Sequence, residues 1–476
     1  MTTTRLRRTV GIVAAVVPLV SAVLFGQASW LDAYRPATAK IIAEATANSG
    51  SAGWARLAEL TDSFPARLSG SASLEQAIQW AADQMRRDGL ENVRIEKVMV
   101  PHWVRGAESG AIVSPNPQPI LIAALGGSIG TGPAGVQAEV LVVRSFDELE
   151  SKAGLATGKI VLYNVSFRTD VDPLTAYQEG TEYRRSGAPR AAAHGAVAAL
   201  VRSIGPIGDR TLHTGNMNYA SGTARIPVAA TTAEDAERLQ RMQDRGQATV
   251  IRLVLNAQTL PDVESGNVVA ELRGRDLPDE IVLVGGHLDS WDLGSGAMDD
   301  GGGCVVTWEA LRVLKKLGLR PRRTIRLVLF TNEENGTRGG QGYRDRHADE
   351  LSKHVLMLES DNGVLPLKGF GFSGSDRARA VVTEIASLMQ TIGGDQITDH
   401  FDGADIQPSV TAAGIPAISP EVDMARYFMI HHTAADTVEK IVPSDLGRLV
   451  GAVASMAYVV ADMPQTLERA RPVSPR

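Results

Sequence analysis

Mainly apolar runs at residues 281–284, 324–330 and 354–358 each end abruptly in polar and acidic residues. Amphipathic segments such as 304–317 separate them. Strands with little polar alternation belong inside a sheet covered on both faces, and helical crossovers supply that cover. The pattern predicts an α/β fold with a mainly parallel central sheet and helices on both faces. Ala-rich helices near residues 37–47 and 74–87, then a strand at 93–100, form its first part. Pro101 and the prolines at 115, 117 and 119 mark a boundary. Short apolar runs at 138–143, 159–165 and 196–201, a helical stretch at 183–194 and a strand at 250–255 follow. They predict a smaller inserted α/β unit over 115–257, flanked by peptide-chain parts 29–114 and 258–466. Residues 446–460 read as an apolar helix packed on the sheet, and 467–476 as a disordered tail.

The N-terminus has a different character. Arg5, Arg7 and Arg8 precede an uncharged run over 9–31 that ends in Gly26-Gln27-Ala28, a small-x-small cleavage pattern. Residues 1–28 are expected to be a secretory signal; an uncleaved anchor is the alternative, and both export the rest. A single cysteine, Cys304, allows no intrachain disulfide, and core packing is its expected role. A secreted or periplasmic protein stabilised by core size fits that count.

With 44% hydrophobic and 21% charged residues the chain is globular, and beyond the leader it carries no membrane-binding segment. The net charge is −6, without a Lys/Arg cluster that could track a phosphate backbone, so nucleic acid is not an expected partner. A homodimer is compatible with the sequence. The 47 glycines are the one compositional oddity, and many of them bracket the acidic motifs.

Those motifs are His287-Leu288-Asp289, Asp299-Asp300-Gly301-Gly302-Gly303, Glu333-Glu334, Asp361 and His431-His432-Thr433-Ala434-Ala435-Asp436. Open α/β sheets bind ligands at the carboxyl ends of their strands, where several of these fall. Imidazole and carboxylate together suit a divalent ion of zinc type. Two histidines and three carboxylates can hold two ions if one carboxylate bridges, and Asp299, beside three glycines, is the natural bridge. Of Glu333 and Glu334, one can ligate while the other acts as general base.

The runs GGHLDSWDLGSGAMDDGGG, LGLRPRRTIRLVLFTNEE, MLESD and HHTAADT resemble the co-catalytic zinc exopeptidases of the aminopeptidase and glutamate carboxypeptidase superfamily. The resemblance implies two Zn²⁺ ions per subunit. His287 and Asp361 would hold one, Glu334 and His432 the other, and Asp299 both. Glu333 would be the general base. Asp289 would fix the His287 imidazole, with Asp436 acting likewise for the His432 loop. A cis peptide between Asp299 and Asp300 and a protease-associated identity for the inserted unit are also implied. Many relatives carry Tyr before the last histidine ligand; here His431 stands there, with an expected role at the oxyanion. The expected substrates are small peptides, foremost dipeptides with free termini. An aminopeptidase of broad specificity is the alternative, and a non-catalytic binding protein conflicts with the complete ligand set. The other histidines, His213 among them, have no ligand context, Asp292 reads as a turn former, and Asp405 is open between helix cap and substrate contact.

Overall fold

The computed structural model describes residues 1–2, 29–206 and 208–470, so the expected leader lies almost wholly outside the described residues. Helices α1 (Arg35–Ala45), α2 (Ser51–Ser63) and α3 (Ala72–Arg87) come first. The Ser71 hydroxyl starts α3 by accepting the Leu74 N–H. Eight strands then form the large sheet: β1 (Glu91–Val104), β2 (Gln258–Leu272), β3 (Leu277–His287), β4 (Arg323–Phe330), β5 (His354–Glu359), β6 (Gly369–Ser373), β7 (Ile397–Thr398) and β8 (Ala417–Glu421). Their order is β1-β2-β4-β3-β5-β8-β6-β7. The central strands β4, β3, β5 and β8 are parallel, and antiparallel pairs flank them at β1–β2, β2–β4 and β8–β6.

The apolar runs are explained by burial on both faces. Val282 and Val284 of β3, Leu327 and Leu329 of β4, and Leu356 and Leu358 of β5 face one core. Leu283, Val328, Phe330 and Met357 face the other. Two-residue alternation thus divides each strand between two apolar layers instead of one apolar and one wet face.

Between β1 and β2 the chain builds a second eight-stranded sheet, from Glu108–Ser114 to Val250–Leu255. Its long helix, α4 (Pro173–Ala193), starts on Asp172, whose carboxylate accepts the Thr175 N–H. The expected boundary at 115 is too late. Glu108–Ser114 already pairs with Val250–Leu255, and the prolines at 115 and 117 lie in the hairpin to Gln118–Ile120. Proline cannot donate to a ladder, so it marks the turn within the unit.

Two helices close the large sheet: α5 (Gly302–Lys316) and α6 (Pro443–Asp462). Helix α6 has the length and hydropathy to cross a bilayer, but 83% of that stretch is buried against α1, α5 and the sheet. The expected disordered tail needs correction at its start. Leu467 is buried, and the Arg469 guanidinium donates to the carbonyls of Leu351, Ser352, His354 and Ala413 at 2.6–2.9 Å. Three of those carbonyls lie at the start of β5 and the fourth ends the helix before β8, so the C-terminal segment ties down central strands; residues 471–476 lie outside the described residues. Arg469→Ala is expected to lower stability by about 1–3 kcal/mol, the cost of leaving such acceptors unpaired, measurable as a lower urea midpoint with an unchanged m-value.

Candidate active site

The strands of the central sheet deliver the acidic motifs to one edge. His287 is the last residue of β3 and pairs with Phe330, so the Glu333-Glu334 turn leaves β4 beside it. Gly285 pairs with Glu359, which places Asp361 on the other side. Asp299 lies in the turn before α5, and His432 in the loop before α6. Two glycines permit this convergence. A Cβ on Gly286 would meet Asp300 Oδ2 at 2.4 Å, and one on Gly303 would meet the Ser360 carbonyl at 1.6 Å. Any side chain at either position would push α5 off the strand ends.

His287 Nε2 lies 3.3 Å from Asp299 Oδ1 and 3.2 Å from Asp361 Oδ1. His432 Nε2 lies 3.1 Å from Asp299 Oδ2 and 2.9 Å from Glu334 Oε2. Bonds of about 2.0–2.2 Å place neighbouring donors around a tetrahedral ion about 3.3 Å apart, so each triad has the size of a metal cradle. Asp299 contributes one oxygen to each triad. Its Oδ2 is buried without a hydrogen-bond partner of good geometry among the described residues, as a donor atom aimed at an ion would be. The electrostatics point the same way. Burial disfavours charge on His287, yet the carboxylates of Asp361 and Asp299 hold its pKa well above the ordinary range. His432 is raised likewise, against its burial, by Glu334 above all. Burial pushes Glu333 well up and Glu334 to about 7. A pocket that stabilises protons to this degree is one that favours cations.

Two supporting acids do different work from that expected. The Asp289 carboxylate does not fix the His287 ring, from which it lies 3.8 Å away. The Asp289 backbone carbonyl takes that role, 2.9 Å from His287 Nδ1. Its carboxylate instead accepts the N–H groups of Glu333 at 3.0 Å and Glu334 at 3.3 Å, which sets the glutamate turn. The Asp436 carboxylate holds the Asp299 turn: it accepts from Ala297, Met298 and Asp299 at 2.8, 2.5 and 3.1 Å. The reason is local geometry, since a backbone carbonyl two residues on reaches Nδ1 more easily than a side chain already committed elsewhere. Asp300 bridges the His287 and Gly303 N–H groups, and the Asp299–Asp300 peptide is cis.

Several site residues were not apparent from motifs. Arg67 is fully buried and donates to the carbonyls of Leu288, Ser295 and Gly296, the backbone flanking both His287 and Asp299. Asp292 pairs with Arg105 and is no mere turn former. Asp405 is buried beneath the site beside Glu359, whose carboxylate accepts its N–H; it neither caps a helix nor reaches the cleft. Cys304 is buried in the core, its thiol on the His287 carbonyl. From the inserted unit come Tyr177, Arg184 and His213. Thr214 N–H donates to the His432 carbonyl at 2.9 Å, and Arg184 Nη1 lies 3.0 Å from Tyr177 Oη and 3.5 Å from His432 Nδ1. Asp299, Glu333, Glu334, Asp361, His431 and His432 all line one cavity of about 550 Å³, which Arg184, Arg185, Asn216 and Asn218 line as well.

A carboxylate–imidazole cluster of this kind, at the carboxyl edge of a largely parallel sheet, defines a metal-dependent hydrolase as the class. Residues 267–457 match Peptidase family M28. Carboxypeptidase Q of Mus musculus is 45% identical over 414 residues, covering 87% of this chain and 86% of that protein. Aminopeptidase YwaD of Bacillus subtilis is 25% identical over 435 residues, with 87% and 86% covered. The crystal structure of a peptidase M28 precursor from Shewanella amazonensis superposes with a TM-score of 0.88 at 35% identity, covering 94% of this chain and 100% of that one. The chain belongs to peptidase family M28 and is a metallopeptidase, in agreement with the motif resemblance.

Asp436→Ala would strip the acceptor from three N–H groups and release the Asp299 turn. A 10–100-fold loss of metal affinity, of the order seen for such supporting partners, is expected in competition titrations with a chelator. Asp289→Ala is expected to act on the Glu333–Glu334 side, lowering turnover by about the same factor.

Proposed function

We propose that this chain is an exported di-zinc exopeptidase acting on small peptides, foremost dipeptides with both termini free. The observation that carries the reading is Asp299, with one carboxylate oxygen in each of two donor triads. Zinc in such cradles polarises a scissile carbonyl and acidifies a water. The chain's own residues supply the rest. Glu333 lines the cavity without belonging to either triad, and its raised proton affinity, set chiefly by burial, suits a general base. It takes a proton from the attacking water and returns it to the leaving amine. His431, kept neutral by burial and by the neighbouring His432, donates a hydrogen bond to the oxygen that gains charge.

The preference for free dipeptides is supported by the charges lining the cavity. Arg184 and Arg185, with Asn216 and Asn218, stand outside the triads and suit the free carboxylate of a short peptide. Arg185 has no salt-bridge partner among the described residues. Export rests on the sequence character of residues 1–28.

Glu333→Gln is expected to keep two zinc ions per chain by elemental analysis and to lose about 10²–10⁴-fold in kcat, whereas Asp299→Ala loses metal too. Near-normal hydrolysis by Glu333→Gln would refute the assignment of the base. A panel of blocked dipeptides separates the two exopeptidase readings. Loss of activity with either an acetylated N-terminus or an amidated C-terminus marks a dipeptidase, and loss with the acetylated substrate alone marks an aminopeptidase.

A further inference from the structure

The loop that follows strand Ala198–Arg202 of the inserted unit carries His213 into the seam with the peptidase sheet. Its backbone N–H donates to Ser203 Oγ at 3.0 Å, and its main chain bridges to Thr433. The loop is therefore stitched to the His431-His432-Thr433 segment by His213, Thr214 and Thr433 together. The His213 side chain is 1% exposed, and neither of its ring nitrogens has a partner among the described residues. His431 Nδ1 and Arg184 Nε, at the same seam, are also buried without partners. Four unpaired nitrogens in one place are far above what folded proteins leave unsatisfied without ordered water.

The imidazoles of His213 and His431 are 5.1 Å apart between ring centres, and one ring nitrogen of each lies within 4.8 Å of the other. No direct hydrogen bond joins them, and the separation is one that a single bridging water covers. His431 stacks on His432 at 4.2 Å, and the ring is packed edge-on by Tyr177 and Phe428, so it cannot turn to find another partner. With Nδ1 enclosed, Nε2 is the nitrogen that faces the cavity.

We propose that His213 is a positioning residue for peptide hydrolysis, holding through one buried water the His431 tautomer whose proton is on Nε2. This rests on the oxyanion role of His431 given above. A His213 N–H donates to the water oxygen, the water O–H donates to the bare Nδ1 of His431, and His431 Nε2–H donates to the substrate oxygen. No group changes its charge. A third cation on His213, His431 and His432 is the competing use of the same atoms. The Arg184 guanidinium, 3.5 Å from His432 Nδ1, opposes it. The inserted unit thereby contributes to the chemical step as well as to the wall of the cleft.

The test uses the zinc-loaded full chain, a free dipeptide and a phosphinic dipeptide analogue of the tetrahedral state. His213→Ala is expected to lower kcat about 10–100-fold with KM nearly unchanged and zinc content at the wild-type value. It loses the same factor in affinity for the phosphinic analogue, and His213→Asn, which still donates to the water, recovers most of both. Combined with His431→Ala, it adds no further loss, because the two residues act in one chain of hydrogen bonds. If His213→Ala does not fold, His213→Asn set against His213→Leu reads the same comparison. Additive losses, a loss confined to KM, or a third zinc equivalent that leaves with His213 would each overturn the proposal. If His431→Ala slows turnover and His213→Ala does not, the positioning role alone fails. If His431→Ala is itself silent, the oxyanion reading fails with it.

Discussion

One aspartate shared between two cradles governs this molecule. Asp299 can offer an oxygen to each triad only if its backbone is held at a fixed height between His287 and His432. That height comes from Asp436, which accepts three successive N–H groups of the turn. Around this pair the chain gathers the buried carboxyl groups of Glu334 and Asp300 and the half-buried ones of Glu333 and Asp361. So many carboxyl groups repel one another and resist burial, as their raised proton affinities record. Bound divalent cations would relieve both costs at once, so an arrangement that carries its own electrostatic penalty also selects its ligand.

The scaffold answers that repulsion with fixed donors. Asp289 and Asp300 each accept two backbone N–H groups, at the glutamate turn and at the junction of β3 with α5. Arg67 takes the carbonyls between them, so the loops around the two triads are closed from the side of the core by a buried cation. Positive potential at the start of α5 adds to this. The glycines that looked like a compositional oddity have a steric purpose here, because at Gly286 and Gly303 the strand, the turn and the helix come closer than a Cβ would allow.

What was legible in the chain was whatever lies close together in sequence. Apolar runs announced buried parallel strands, and acids at the ends of those runs announced the residues that converge at one edge of the sheet, since a strand end is both a local signal and the place where such sheets bind. Most of what was missed or misread involves contacts between distant segments. Arg67 reaches residues more than 220 positions away, and an isolated arginine after a helix carries no mark of that. His213 lies in a unit whose own motifs are structurally bland. For Asp289 the function was anticipated on the wrong partner, because spacing tells which residues are near the imidazole but not which atom points at it. The prolines near 115 were read as a boundary and are a hairpin, since proline marks turns without regard to domain.

The distribution of the site between the two sheets has a mechanical consequence. The histidine that completes the second triad, His432, sits in left-handed backbone at φ 58°, a conformation that a bulky side chain adopts only when its surroundings impose it. The imposing contacts come from both units: the Thr214 N–H on its carbonyl, the bridge from His213 to Thr433, and the Trp291 ring on its imidazole. The peptidase sheet positions four of the five donors by itself, from the ends of its strands and the turn before α5. The fifth is held in place with the inserted unit. The same contacts therefore build one wall of the cleft and hold the last residue of the second triad, so the inserted sheet belongs to the framework of the candidate site rather than hanging from it.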